Sequence, residues 1–179
     1  MILGLLMTLL IPAIGAGGGR SLRKQGDRIA ATLELARQRA VITGKPHRVA
    51  FDLERGRFAV EWLVSESQAL GGEPEAEDEL ETAGLPDGAI DLAPPLDEEL
   101  AYYPVPNKFG AMEPLERGYF FEGLETPDGW IESGEAFVVF DWDGSTDVSR
   151  VVLSDQDNRT INLDVAPLLE TVRIHEEVD

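Results

Sequence analysis

The first seventeen residues, Met1-Ile-Leu-Gly-Leu-Leu-Met-Thr-Leu-Leu-Ile-Pro-Ala-Ile-Gly-Ala-Gly17, carry no charge, and the first charged side chain is Arg20. An apolar tip on a charged chain has to be buried in a membrane, buried against a partner, or removed. As a helix rising about 1.5 Å per residue the run reaches about 25 Å, just short of the roughly 30 Å hydrocarbon core of a bilayer. A secretory signal peptide opens with a positive region and ends at a small-residue cleavage site. Residues 13–19 are small enough to serve as such a site, but no Lys or Arg precedes the apolar run. The segment therefore reads as part of an anchor whose earlier portion is expected ahead of Met1.

The remainder of the chain is soluble in character. Its 179 residues suit one domain with an appendage. The formal charge of −19, from 15 basic and 34 acidic residues, argues against a nucleic-acid partner, because little is present to neutralise phosphates. The absence of cysteine excludes disulfides, thiolate chemistry and Cys-ligated zinc, and is compatible with either redox compartment. Charge is segregated. Ten of the 15 basic residues fall in 20–57, whereas 66–99 holds twelve acidic residues and no basic one.

After the glycines at 17–19, the apolar positions Leu22, Ile29, Leu33, Ala36 and Ala40 recur at spacings of three, four or seven. Arg23, Lys24, Arg28, Glu34, Arg37 and Arg39 take other faces, and Gly44 with Pro46 supplies a stop signal. This predicts an amphipathic helix over 21–43, possible as a continuation of the apolar tip. Pro12 and the glycines at 15 and 17–19 predict a bend or melted turn between 12 and 19.

From residue 46 the period becomes two. His47, Val49 and Phe51 alternate with Arg48, Ala50 and Asp52; a turn at 54–56 follows, and 57–64 returns as the second arm of a hairpin. Residues 65–95, acidic and poor in large apolar side chains, read as a solvated insertion, which could also meet a partner. Further strands are expected at 101–105, 118–122, 135–140, 150–154, 160–165 and 171–175, with turn chemistry at 141–144 and 155–158. Eight short strands and one long helix predict an α+β chain: a long N-terminal helix followed by an antiparallel β-sandwich.

No catalytic, cofactor-binding or metal-ligating residue is assigned. His47 alternates within a strand and His175 lies beside Glu176 and Glu177; either could pair with a carboxylate, but ordinary strand histidines are the commoner case. No nucleophile elbow, phosphate-binding glycine loop or zinc helix motif is present. Calcium is a chemical alternative, since Asp141, Asp143 and Asp147 cluster in one turn and Asp155, Asp157 and Asn158 in another, but neither follows EF-hand spacing. Trp62, Trp130 and Trp142 could line a sugar-binding face, although strand tryptophans are more often packing residues.

The run 2–12, with proline at its end, resembles the second half of the N-terminal helix of type IV pilins and type II secretion pseudopilins. Residues 35–46, Leu-Ala-Arg-Gln-Arg-Ala-Val-Ile-Thr-Gly-Lys-Pro, followed by 49–58, are similar to the helix end and first hairpin of the H-type minor pseudopilins, the GspH/FimT family. Residues 140–144, 151–155 and 172–174 resemble that family's last strands. The resemblance covers both ends of the chain and hardly the middle. It implies a non-catalytic subunit, single-pass in the bacterial inner membrane, with its β domain in the periplasm and polymerising with other pseudopilins through its N-terminal helix. Membrane lipid and sister pseudopilins are then the partners.

The family's basic leader, cleavage-site glycine, N-methylated residue and buried glutamate have no counterpart here. Its pattern expects about ten further apolar residues ahead of Met1, which would bring the run to about 27, enough to span. The expected organisation is a partial hydrophobic segment at 1–19, a stem at 20–44 and a β domain at 45–179 with an acidic loop at 65–99. The basic residues after the apolar run oppose this orientation, because positive charge ordinarily stays cytoplasmic. A membrane-stalked β-sandwich that binds calcium or glycan remains the alternative, and a hydrolase ranks below it.

Overall fold

The computed structural model describes residues 3–71, 99–167 and 171–176, and side chains from Arg20 onward. A single helix, α1 (Leu3–Thr43), runs the length of the N-terminal region. It passes Pro12 and the glycines at 15 and 17–19 without a break, so the melted turn expected there is not found. A proline withdraws one backbone donor, which a long helix can tolerate at the cost of a local kink. Among the described residues, no helix is long and apolar enough to cross a membrane. The helix ends at Gly44, whose φ of +64° is the left-handed conformation that suits glycine after a last turn.

The hairpin follows as predicted, with β1 (His47–Asp52) antiparallel to β2 (Arg57–Ser65). Ser65 then caps a one-turn helix, α2 (Glu66–Ala69), its hydroxyl accepting from the Gln68 amide. Most of the acidic insertion lies outside the described residues. Beyond it come β3 (Leu100–Pro104), a 3₁₀ turn (Lys108–Gly110), β4 (Glu113–Pro114), β5 (Tyr119–Thr126), β6 (Gly129–Ile131), β7 (Glu135–Phe140), β8 (Ser149–Asp155), β9 (Thr160–Val165) and β10 (Arg173–Glu176). The eight expected strands are present, and β4 and β6 are additional.

Among the described residues the strand pairings are antiparallel, and the strands form two sheets. The first has the order β3-β2-β1-β7 with β4 also on β2; the second is β10-β9-β8-β5-β6. Both lay side chains against α1. Leu22, Ile29, Leu33, Ala36 and Ala40 share one core with Val49, Phe51, Phe58 and Val60 of the first sheet and Leu124, Val151, Leu153, Ile161 and Leu163 of the second. The sheets also touch directly. The Phe121 ring stands edge-on to Phe51 at 5.4 Å and to Phe58 at 6.5 Å, the preferred geometry for aromatic pairs. This is the α+β architecture of a long N-terminal helix followed by antiparallel β sheets.

Candidate functional site

The helix stem is the element whose two faces differ most. Leu22, Ile29, Leu33, Ala36 and Ala40 are 0–1% exposed, while Arg20, Arg23, Lys24, Asp27, Ala31 and Gln38 face solvent. The buried stripe docks α1 on the β domain by apolar contact, the dominant stabilising term. Polar contacts set its register along the sheets. Arg28 Nε donates to Glu113 Oε2 (3.0 Å) and Arg28 Nη2 to the Pro114 carbonyl (2.7 Å). Gln25 Oε1 accepts from the Glu116 amide (3.4 Å), and Glu34 Oε1 from the Val172 amide (2.8 Å). The Arg37 and Arg39 guanidinium groups lie 5.3 Å from the ring centres of Phe140 and Phe109. The stem is thus held by the first sheet, by the second, and by the connection between β3 and β5.

Along the flank of the stem runs an open groove of about 950 Å³, lined by Ala31, Thr32 and Leu35 of α1 and by Phe109, Pro114 and Leu115 opposite. Arg28, Glu113, Glu116 and Arg117 complete the lining, so the groove has an apolar strip with charged residues along it.

The histidines expected as candidates are far apart in role. His47 is fully buried. Its Nδ1–H donates to the Lys45 carbonyl (2.9 Å), while Nε2, like Trp62 Nε1, has no hydrogen-bond partner among the described residues. Burial pushes the imidazole below its ordinary value of 6.5, against the Lys45 hydrogen bond and with a smaller contribution from the Arg39 charge. His175 is exposed on β10, with Nε2 3.4 Å from Asp164 Oδ2. Neither faces a nucleophile.

The acidic turns satisfy their own backbones. Asp143 Oδ1 accepts from the Ser145 amide (2.9 Å), and Asp141 pairs through its main chain with Gly144 and Ser145. The hydrogen bonds from Ser145 hold the Asp143 carboxyl below the usual range. Asp155 Oδ1 accepts from the Asp157 and Arg159 amides, its Oδ2 faces Arg159 Nε at 3.2 Å, and Arg159 also pairs with Asp157. These carboxylates close the two turns. Among the described residues, no three His, Asp or Glu side chains converge in a way that could hold a metal.

The tryptophans do not form one exposed row. Trp62 is tucked beside His47 (ring centres 6.3 Å apart) with Lys45 Nζ 5.8 Å from its ring centre, Trp130 sits on β6 bonded to Glu132, and Trp142 projects from the β7–β8 turn.

With helix, sheets and docking contacts placed, the solved structure of the minor pseudopilin EpsH from the type 2 secretion system of Vibrio cholerae is similar to this chain with a TM-score of 0.54. The match covers 87% of this chain and 97% of that one, at 10% identity. The fold is pseudopilin-like. No protein-family profile matches the sequence, and no curated protein does either.

Sequence reasoning passed over the residues that lock that stem. Gly26 occupies the missing position in the stripe between Leu22 and Ile29, where the seven-residue gap was the available signal. Gln25, Arg28 and Glu34 bond to residues 85–138 positions away, and no local pattern carries that information.

Proposed function

We propose that this chain is a minor pseudopilin of the H type, a non-catalytic subunit of a type II secretion pseudopilus or a related type IV pilus. The observation that supports this most is the likeness to a minor pseudopilin over nearly the whole of both chains. The division of the sequence agrees with it: an apolar segment at 1–19 for the inner membrane and for the helix bundle of the filament, a stem at 20–44, and a β domain at 45–179 for the periplasm.

In this reading the subunits associate through their apolar helices, where small residues such as Gly4 and Ala13 permit close approach. The β domain would set the subunit's place in the assembly, with other pseudopilins as partners and protein export as the outcome. Co-expression with the sister pseudopilins of its own genome, followed by affinity capture, tests the proposal. Co-purification is expected, and Leu6→Arg is expected to abolish it while leaving the β domain folded. Capture that survives Leu6→Arg would remove the apolar segment from the assembly interface.

A further inference from the structure

The basic residues that follow the apolar run conflict with the usual distribution of positive charge about a membrane, and the assembly reading leaves them without a role. Arg20, Arg23 and Lys24 are all exposed, and the side chain of Lys24 is 75% accessible. No acidic residue occurs before Asp27. At about 100° per helical residue, positions 20, 23 and 24 project on the side of α1 opposite Leu22, Gln25 and Gly26, which are turned into the β domain. Arg20, Arg23 and Lys24 therefore lie at the junction of the apolar run and the stem, on the exposed side of α1 that Asp27 shares, with Arg23 and Lys24 already engaged in contacts of their own. Lys24 keeps a long contact with Glu116 (3.7 Å), and Arg28, one turn on, is committed to Glu113 and Pro114. An exposed pair of that kind contributes little and exchanges readily for another anion.

A body of net charge −19 is repelled by an anionic bilayer surface. Anything that seats it there needs a local reversal of sign, and this is the place in the chain that supplies one. We propose that Arg20, Arg23 and Lys24 form a collar that binds the phosphate headgroups of an anionic bilayer, seating the stem at the membrane surface. Long basic side chains suit this position, since their stems lie along apolar surface while the charged ends reach the headgroups. The inference rests on the anchor reading above and adds to it the lipid class.

Co-flotation of the full chain with two kinds of vesicle tests the collar separately from the anchor. Vesicles of phosphatidylcholine alone report insertion of the apolar segment. Vesicles of phosphatidylcholine mixed with phosphatidylglycerol report the additional anionic contribution. The wild type is expected to partition into both and to favour the anionic vesicles, the preference fading as salt is raised. Each basic residue near such a surface is worth about fivefold, so Arg20→Gln/Arg23→Gln/Lys24→Gln is expected to lose on the order of 100-fold of the preference while partitioning into neutral vesicles as before. Circular dichroism and melting of the variant confirm that the fold is kept. Equal partition of the wild type, or a preference retained by the triple variant, overturns the collar. Preference for anionic vesicles without any partition into neutral ones supports the collar and overturns the anchor reading, and failure to float with either overturns both.

Discussion

Gly26 of α1 meets Ile161 of β9 so closely that a Cβ on the glycine would lie 2.5 Å from Ile161 Cδ1, with Ile174 Cδ1 3.8 Å away. The missing side chain is what lets the stem settle on the second sheet. Two effects oppose each other on substitution. Alanine would gain about 1 kcal/mol of helix propensity, and the methyl it meets is the far end of a side chain that can turn aside. Gly26→Ala is therefore expected to change stability by less than about 1 kcal/mol. Gly26→Val adds branched bulk that Ile161 cannot clear, and is expected to cost about 2–3 kcal/mol in urea unfolding. Ile161→Val, which deletes Cδ1, should restore part of that loss when combined with Gly26→Val but not on its own. Independent, additive costs would show that the two residues are not in contact.

Asp52 closes the first hairpin. Its Oδ2 accepts from Arg57 (2.6 Å) and Arg55 (3.2 Å), and its Oδ1 from the Arg55 amide (3.0 Å). The Arg57 hydrogen bond, followed by those from Arg55, pulls the carboxyl down to about 2 from 3.8. A carboxyl lowered on folding stabilises above its unfolded value, and that contribution is lost as pH falls through the folded one. The Asp52 contribution should be fully present above pH 3.8 and disappear towards pH 2. Asp52→Asn is expected to lower the unfolding midpoint at neutral pH and to flatten the stability profile within that window. An unchanged profile would mean that the arginines do not hold the carboxylate in solution.

How much of this was legible depends on the length and regularity of each element. The β1–β2 hairpin shows a period of two in its sequence, clearest in the first arm, and the predicted and observed bounds nearly coincide. Strand β5 runs to Thr126, whereas the pattern suggested 118–122. The pairing with β8 shifts register between Phe121 and Gly123, and a bulge of that kind breaks the period on which the reading relied. Strands β4 and β6 hold two and three residues, too few for a period. The stem's buried stripe was visible, but its polar locks join distant positions, and the histidine, aspartate and tryptophan candidates lie apart from one another, His47 buried on β1 and His175, Trp130 and Trp142 exposed.

Gly123 at that bulge is the second place where a side chain is excluded. A Cβ would lie 2.4 Å from Trp130 Cζ2 and 2.7 Å from the Ile131 carbonyl oxygen. The indole could shift, but the carbonyl belongs to the paired strand β6 and cannot do so without breaking the ladder. Gly123→Ala is expected to destabilise by about 1–3 kcal/mol and to change the Trp130 fluorescence. Fluorescence and melting both unchanged would place the indole elsewhere.

Phe121 joins the two sheets through its contacts with Phe51 and Phe58, and it is only 6% exposed. Removing the ring leaves a cavity at the point where three elements meet. Phe121→Ala is expected to cost about 3–5 kcal/mol, and Phe121→Leu less. A cost near zero would mean that the sheets are held together by the helix alone.

His47 sets a pH dependence of opposite chemical origin to that of Asp52. Burial disfavours its charged form, the hydrogen bond to the Lys45 carbonyl opposes this in part, and the Arg39 charge adds a smaller push in the same direction as burial. Protonation would also turn the buried, unpartnered Nε2 into a second unsatisfied donor. The unfolded chain binds a proton at about 6.5 and the folded chain only at lower pH. Folding stability should therefore be complete above 6.5, fall as pH drops through that value, and level off below the folded one. His47→Phe keeps a ring of similar size without the titrating nitrogens, and is expected to remove the decline that sets in as pH falls through 6.5. A decline of the same size in that variant would assign it to other groups.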